Sequence, residues 1–538
     1  MKVSRLSLPP QLRPRRWGWL IFLVLYAIIL CRLRLFNLLA FEFSFACALP
    51  LSLIGARFGL DALNDGRSPL LAWLSAIKRG SLYGLAPLVP ISLNAIWVRN
   101  CNWLDGFLFY TLISLVGLWV SAAWGVTLAL FKRGLGSFIL LLFGSLLYCL
   151  GVFYWTPLID QFHPLLGYYP GSIYDEEISI GWRLLVSRAE DLAIATMALI
   201  WAAHRAGHTQ PPLRRGGVTL LSLLMIICGI SVGVHRGAWS VQRALGGIEE
   251  STHFRLYYPA QWSARRRDRM LAELEFNHQE LSRFFGRAPE EKIEAYLYRS
   301  AREKKALIGA GRTLISKPWQ RSIHVHGVKI GASVIRHEIA HAFSADWAPA
   351  PHHLSLTRWW IPHMPMIEGL AVAATWELGR LDPHLWSAAT LKIGVAPPLS
   401  GLLSSERFYL YSSSLAYTLC GSFVRFYLEE ERGAAGEELG PTSERRAALE
   451  ALYRSGGESE LELEAWLTRW EGFLKSQTLS PQALNWAQGR FGRRSVFYKV
   501  CAHEIAERRG TARRAEARGD WGKADRLWRS IERDAPGD

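Results

Sequence analysis

The sequence has no Cys-x-x-Cys pair. Its seven cysteines (Cys31, Cys47, Cys101, Cys149, Cys228, Cys420 and Cys501) show no disulfide-framework spacing. That excludes thiolate zinc ribbons, thioredoxin-like redox sites and small disulfide-stapled scaffolds. Four of the cysteines fall in apolar runs and read as small core residues. Charge is also sparse: a fifth of the 538 residues are charged and half are apolar. No nucleic-acid-binding module accompanies the net charge of +16, so a nucleic-acid partner is not expected. Much of the basic excess sits in short loops between apolar runs, where membrane topology accounts for it. No small-residue cleavage site follows the first apolar run, and more such runs come after it. That start therefore does not read as a cleavable signal peptide.

What is present divides near residue 235. Before it lie seven apolar stretches: Trp17–Cys31, Leu35–Ala56, Ser81–Val98, Gly106–Phe131, Ser137–Leu158, Leu184–Ala203 and Gly217–Val234. A helix needs roughly 20 apolar residues to cross the hydrocarbon core, so residues 1–240 read as a polytopic transmembrane region of about seven spans. Lys2, Arg5, Arg13, Arg15 and Arg16 set the N-terminus on the cytoplasmic side. Alternate loops carry Arg57, Arg67, Lys78 and Arg79, then Lys132 and Arg133, then Arg205, Arg214 and Arg215. An odd number of spans puts the rest of the chain outside the cytoplasm. The sixth stretch opens with Arg188, Glu190 and Asp191, and its cleanly apolar part is about half the needed length. If it does not cross, the parity reverses.

Beyond Val234 the texture is that of a water-soluble domain. The alternation of Phe254, Leu256 and Tyr258 predicts a strand. Met270, Leu274, Leu281 and Phe285 predict a helix ending at Gly286. Lys292–Tyr298 and Arg321–Gly327 read as further strands, and Ser300 with Glu303 as a capping box. Strands first and helices after give an α+β arrangement. The last forty residues resemble a single tetratricopeptide unit, which cannot bury its own face. They read as a terminal helical hairpin, and residues 436–538 as a helical region that offers a surface to a protein partner.

One stretch, "SVIRHEIAHAF", names a chemistry. His337 and His341 are four residues apart on a predicted helix and so share a face. Glu338 is turned about 100° from His337, able to reach a metal-bound water without being a ligand. This is the H-E-x-x-H pattern of metal-assisted hydrolysis. A catalytic zinc needs a third protein ligand. Glu368 in "MPMIEGLAVAATWE" is the candidate, placed early in a helix that Pro365 can start. The small Gly369 and Ala371 beside it would let two helices approach closely enough to share an ion. His324 and His326, alternating about Val325, read as solvated strand residues. His352, His353 and His363 are not expected to be ligands. Asp346 is a candidate partner for orienting a ligand histidine.

HEIAH followed by a helix bearing E-G-x-A resembles the gluzincin metallopeptidases, the clan that includes thermolysin-like and M1-type aminopeptidase enzymes. The resemblance covers roughly residues 250–435. It implies Zn2+ held by His337, His341 and Glu368, with Glu338 as general base and acid. "SLAYTLCGSFVRFYLEEERG" is similar to a family segment carrying a tyrosine, which puts Tyr417 in the oxyanion-stabilising role; Tyr411 and Tyr409 are alternatives. "SIHVHG" takes the place of the family's substrate-aligning edge strand. The G-x-M-E-N segment of M1 aminopeptidases is missing, so the resemblance implies an endopeptidase acting on a peptide or protein. The combined expectation is a membrane-embedded zinc metallopeptidase: an α-helical transmembrane bundle followed by an α+β gluzincin-like domain and a C-terminal helical segment. It would sit in the lipid bilayer of a bacterial inner membrane with the catalytic domain extracytoplasmic. The alternative is a noncatalytic scaffold or sensor that uses the same fold to bind a partner protein.

Overall fold

A computed structural model describes residues 14–33, 35–63, 65–98, 100, 102–171, 178–209, 211–327, 329, 331–357, 359–376, 379–408, 411–429, 443–455, 460–491 and 502–534. The chain is mostly helical and forms two compact units. The first holds residues 1–238 with 307–309; the second holds 239–306 with 310–538.

The first unit contains helices α1 (Pro14–Leu30), α2 (Phe41–Leu63), α3 (Pro69–Gly84) and α4 (Leu88–Asn94). α5 (Trp103–Phe109) runs through a π turn into α6 (Val116–Leu130). α7 (Leu135–Trp155), a short hairpin of β1 (Gln161–His163) and β2 (Gly167–Tyr169), α8 (Trp182–Arg205) and α9 (Pro212–Val232) complete it. Among the described residues, four helical stretches are long and apolar enough to cross a membrane: Phe41–Leu63, Trp103–Leu130, Leu135–Trp155 and Pro212–Val232. The expected third span, Ser81–Val98, is not one helix. It is divided between α3 and α4 at Leu85–Pro87, where Pro87 and Pro90 remove backbone donors. The charged start of the sixth stretch lies within one continuous helix, α8. Arg188 and Glu190 are buried there: Arg188 pairs with Asp191 and donates to the His163 carbonyl at 2.8 Å, and Glu190 meets His235 at 2.6 Å.

α2 and α6 form the centre of this unit. Close backbone approach holds them together. Gly55 and Gly59, four apart on α2, sit against the carbonyls of Leu118 and Ala122 on α6. A Cβ at either position would lie 2.3 or 2.2 Å from those oxygens. Gly125 on α6 answers them against Ala56. α7 and α9, by contrast, expose Leu140, Phe143, Leu150, Leu220, Leu224 and Ile227, as helices solvated by lipid would.

The second unit opens with α10 (Ala238–Leu245) and a five-stranded mixed sheet. Its strands are β3 (Gly246–Glu250), β4 (Phe254–Pro259), β5 (Ile293–Tyr298), β6 (Ile315–Lys317) and β7 (Ser322–His326), in the order β3-β4-β5-β7-β6. The β4–β5 and β5–β7 pairs are parallel, and both edge pairs are antiparallel. α11 (Ala264–Phe285) connects β4 to β5 and ends at Gly286 with φ +73°, a left-handed cap suited to glycine. α12 (Ala301–Ile308) follows β5. "SIHVHG" is therefore an interior strand, β7, and not the edge. The edge is β6, three residues long and stopped by Pro318, too short to leave an alternating pattern.

From Ser333 onward the unit is helical: α13 (Ser333–Ser344), α14 (Met364–Thr375), α15 (Pro383–Lys392), α16 (Leu399–Leu402), α17 (Ser405–Phe408), α18 (Ser413–Glu429), α19 (Ser443–Ser455), α20 (Glu460–Ser476) and α21 (Pro481–Phe491). One hydrophobic core runs from Phe254 and Leu256 of the sheet through α13, α14 and α18 to Tyr453, Trp470 and Phe491. α22 (Ala502–Ala517) and α23 (Trp521–Asp534) form the terminal hairpin, packed about Ile505, Ile531 and Trp528.

The glycine contact between α2 and α6 yields a prediction. Gly59→Val forces these helices apart and costs about 3 kcal/mol, as overpacking does. The purified chain then shows a lower thermal midpoint or aggregates. Gly136→Val, where a Cβ meets nothing within 4 Å, leaves the midpoint in place.

Candidate metal centre

α13 has two working faces. Ile335, Ile339, Ala342 and Phe343 are buried in the core and fix the helix. His337 and His341 emerge one turn apart on another face, their rings 5.0 Å apart and nearly perpendicular at 88°. α14 crosses beside α13. Pro365 stands in its first turn, and every residue from Pro365 to Thr375 is buried. The only ionisable side chain in this helix is Glu368. A carboxylate in such surroundings is tolerated only when paired.

Its partners are the two histidines. Glu368 Oε2 lies 3.2 Å from His337 Nε2 and 3.6 Å from His341 Nε2. Tetrahedral zinc with bonds of about 2.0–2.1 Å separates neighbouring ligand atoms by about 3.3 Å, so the spacing fits an ion held among the three. Two imidazoles and a carboxylate are also a known catalytic zinc donor set. Among the described residues two groups could hold a metal ion: this one, and His253 with Glu275 and His278.

The electrostatics follow from burial and proximity. Burial alone would raise the Glu368 pKa; the neighbouring His341 and His337 more than offset it and hold the carboxyl well below the usual carboxylate range. For His341, burial disfavours the charged ring, but the Glu368 carboxylate outweighs it and raises the pKa.

Glu338 is buried beside this group and is not a member of it. Its Oε2 accepts a hydrogen bond from Ser316 Oγ at 2.6 Å, and the same hydroxyl lies 3.0 Å from the Glu338 carbonyl. Ser316 is on the edge strand β6. Sequence reasoning missed it, because nothing in a three-residue strand marks a serine as a partner of a residue 22 positions away.

Gly369 does allow close packing, but against α18: its Cβ would lie 3.0 Å from the Cys420 carbonyl. Tyr417, on α18 one turn before Cys420, stacks on Phe408 with centroids 5.7 Å apart. It is not part of the three-residue group. Tyr411 is partly buried against the core, and Tyr409 lies outside the described residues. Asp346 does not orient a ligand histidine through its Oδ1, which accepts from Arg321 at 2.5 Å. His324 is fully buried, not solvated. Its Nδ1 meets the Tyr298 hydroxyl at 3.0 Å and its ring stacks on Tyr296, because β7 is interior. His363 is also buried, with Nε2 at 3.0 Å from the Leu403 carbonyl, and burial pushes its pKa down to about 4.

No protein-family model matches the chain, and no curated protein matches it in sequence.

A pH dependence follows. His341 is protonated below its raised pKa, and metal binding must displace that proton. Zinc affinity at this group is level at alkaline pH. Below the His341 pKa it falls by at least about tenfold per pH unit, because the proton on that ring must be displaced. Competition with a chelator between pH 8 and pH 6 measures this; a flat affinity contradicts it.

Proposed function

We propose that this protein is a membrane-embedded zinc metallopeptidase that hydrolyses peptide bonds by attack of a metal-activated water. The observation that supports this reading is the meeting of His337, His341 and Glu368 from α13 and α14, with the Glu338 carboxylate buried next to them and outside the ligand set. A scaffold would need the three ligands at most. A separately held carboxylate is what hydrolysis adds.

Bound Zn2+ would supply Lewis acidity and lower the pKa of a water molecule. His337 Nε2, His341 Nε2 and Glu368 hold the ion. Glu338 Oε2 takes the proton of the attacking water and later delivers it to the leaving amine. The Ser316 hydroxyl has a single proton and two nearby acceptors, both on Glu338. Its donation to Oε2 fixes where that carboxylate points. Tyr417 stabilises the oxyanion of the tetrahedral intermediate in this reading. The gluzincin-like domain lacks an amino-end clamp, which favours internal cleavage of a peptide or protein.

The membrane part of the proposal is a bundle of about seven spans. The four long apolar stretches are joined by α1, by the broken α3–α4 pair and by α8, whose charges turn inward. The excess of Lys and Arg in alternate loops assigns the catalytic unit to the extracytoplasmic face of a bacterial inner membrane.

The test is Glu338→Gln in the full chain. Turnover of a cleavable peptide falls by about 10²–10⁴-fold, the range for losing a general base, while metal bound at His337, His341 and Glu368 is retained. Unchanged cleavage contradicts the proposal.

A further inference from the structure

A second set of ligand-type side chains lies in the same unit. Glu275 and His278 are three residues apart on α11 and so face the same way. His253 stands at the turn between β3 and β4, directly opposite them. One ligand atom from each lies within 4.8 Å of the other two.

The present contacts are those of a site held together by a proton. Glu275 clamps His253 twice: Oε1 accepts the His253 backbone N–H at 2.9 Å, and Oε2 lies 2.6 Å from His253 Nδ1. His278 lies flat against the His253 ring, 3.9 Å between centroids and 13° between planes. His278 is only 4% exposed. The aromatic rings of Phe254 and Phe343 pack about it, edge-on or steeply tilted.

We propose that His253, Glu275 and His278 form a second divalent-metal site, suited to Zn2+, that clips the start of β4 to α11. Two imidazoles and one carboxylate favour a borderline ion such as zinc over Ca2+ or Mg2+, which take oxygen ligands. The ion takes the position of the proton between His253 and Glu275. Their 2.6 Å separation then opens to about 3.3 Å, the ligand spacing around tetrahedral zinc. The nearly parallel rings must also splay so that both nitrogens point at one ion. The His253 side chain is 42% exposed and that of Glu275 28%, which leaves His253 room to turn and water access to a fourth position.

The consequence is mechanical. α11 packs behind α13: His278 touches Phe343, and Arg336 Nε donates to Asn277 Oδ1 at 2.9 Å. Asn277 is next to His278, and Arg336 is next to His337. A metal here stiffens the support of the helix that carries His337 and His341. The inference does not depend on peptidase activity.

The experiment counts metal on the full chain, stripped with a chelator, reloaded with Zn2+ and measured by elemental analysis. Wild type retains two equivalents per chain. The double variant His337→Ala/His341→Ala retains one, and adding His253→Gln to it removes that one. His253 is half-exposed, so this last substitution leaves the fold intact, which circular dichroism verifies. Co2+ loaded into the double variant gives visible d–d bands that vanish with His253→Gln. The inference is overturned if the double variant holds no metal, or if its remaining metal survives both His253→Gln and His278→Ala. Absence of cleavage by the wild-type chain holding both equivalents would refute the peptidase reading alone.

Discussion

The second unit is organised around one buried charge. α14 is otherwise apolar and wholly inside the core, yet it carries Glu368. Moving a carboxylate out of water costs several kcal/mol even after relaxation. The fold offsets that cost with His337 and His341 presented by a neighbouring helix. Much else follows from it. α13 must bury Ile335, Ile339 and Phe343 so that its histidines point at Glu368. α14 must be backed closely by α18, which is why Gly369 meets Cys420 and Gly421 meets Val372 with no space for side chains. The same pairing that removes the electrostatic penalty assembles three donor atoms at metal-ligand spacing.

The sequence made this centre legible because the chemistry requires local regularities. Two histidines four apart read as one helix face, and Pro365 before Glu368 reads as a helix start. Strands β4 and β5 and the end of α11 at Gly286 were equally legible, since period and capping are written in neighbouring residues. What was hidden depends on pairing across the chain. β6 is too short to show alternation, so the edge of the sheet was assigned to β7 and His324 was read as solvated. Ser316 became visible only when its strand lay beside α13. Gly369 advertised close packing but not the helix that uses it. The Glu275-x-x-His278 spacing was present to be read; its third member, His253, is brought in only by the β4–α11 crossover.

In the first unit the lesson differs. Hydropathy marked the apolar stretches but not their continuity: Pro87 and Pro90 divide one, and buried Arg188 and Glu190 let another be a single helix despite its charges. α7 and α9, which expose most of their apolar surface, contrast with α2 and α6, where glycines meet carbonyls. That contrast separates exposed from packed apolar helices by a criterion independent of mean hydropathy.

The central claim is that His337, His341 and Glu368 jointly bind a metal ion. Anomalous diffraction at the zinc edge, from crystals of the full chain supplied with Zn2+, tests it most directly. The account predicts a peak within about 2.0–2.2 Å of His337 Nε2, His341 Nε2 and a Glu368 carboxylate oxygen, with Glu338 outside bonding distance. A zinc-saturated crystal with no peak at that position would contradict it.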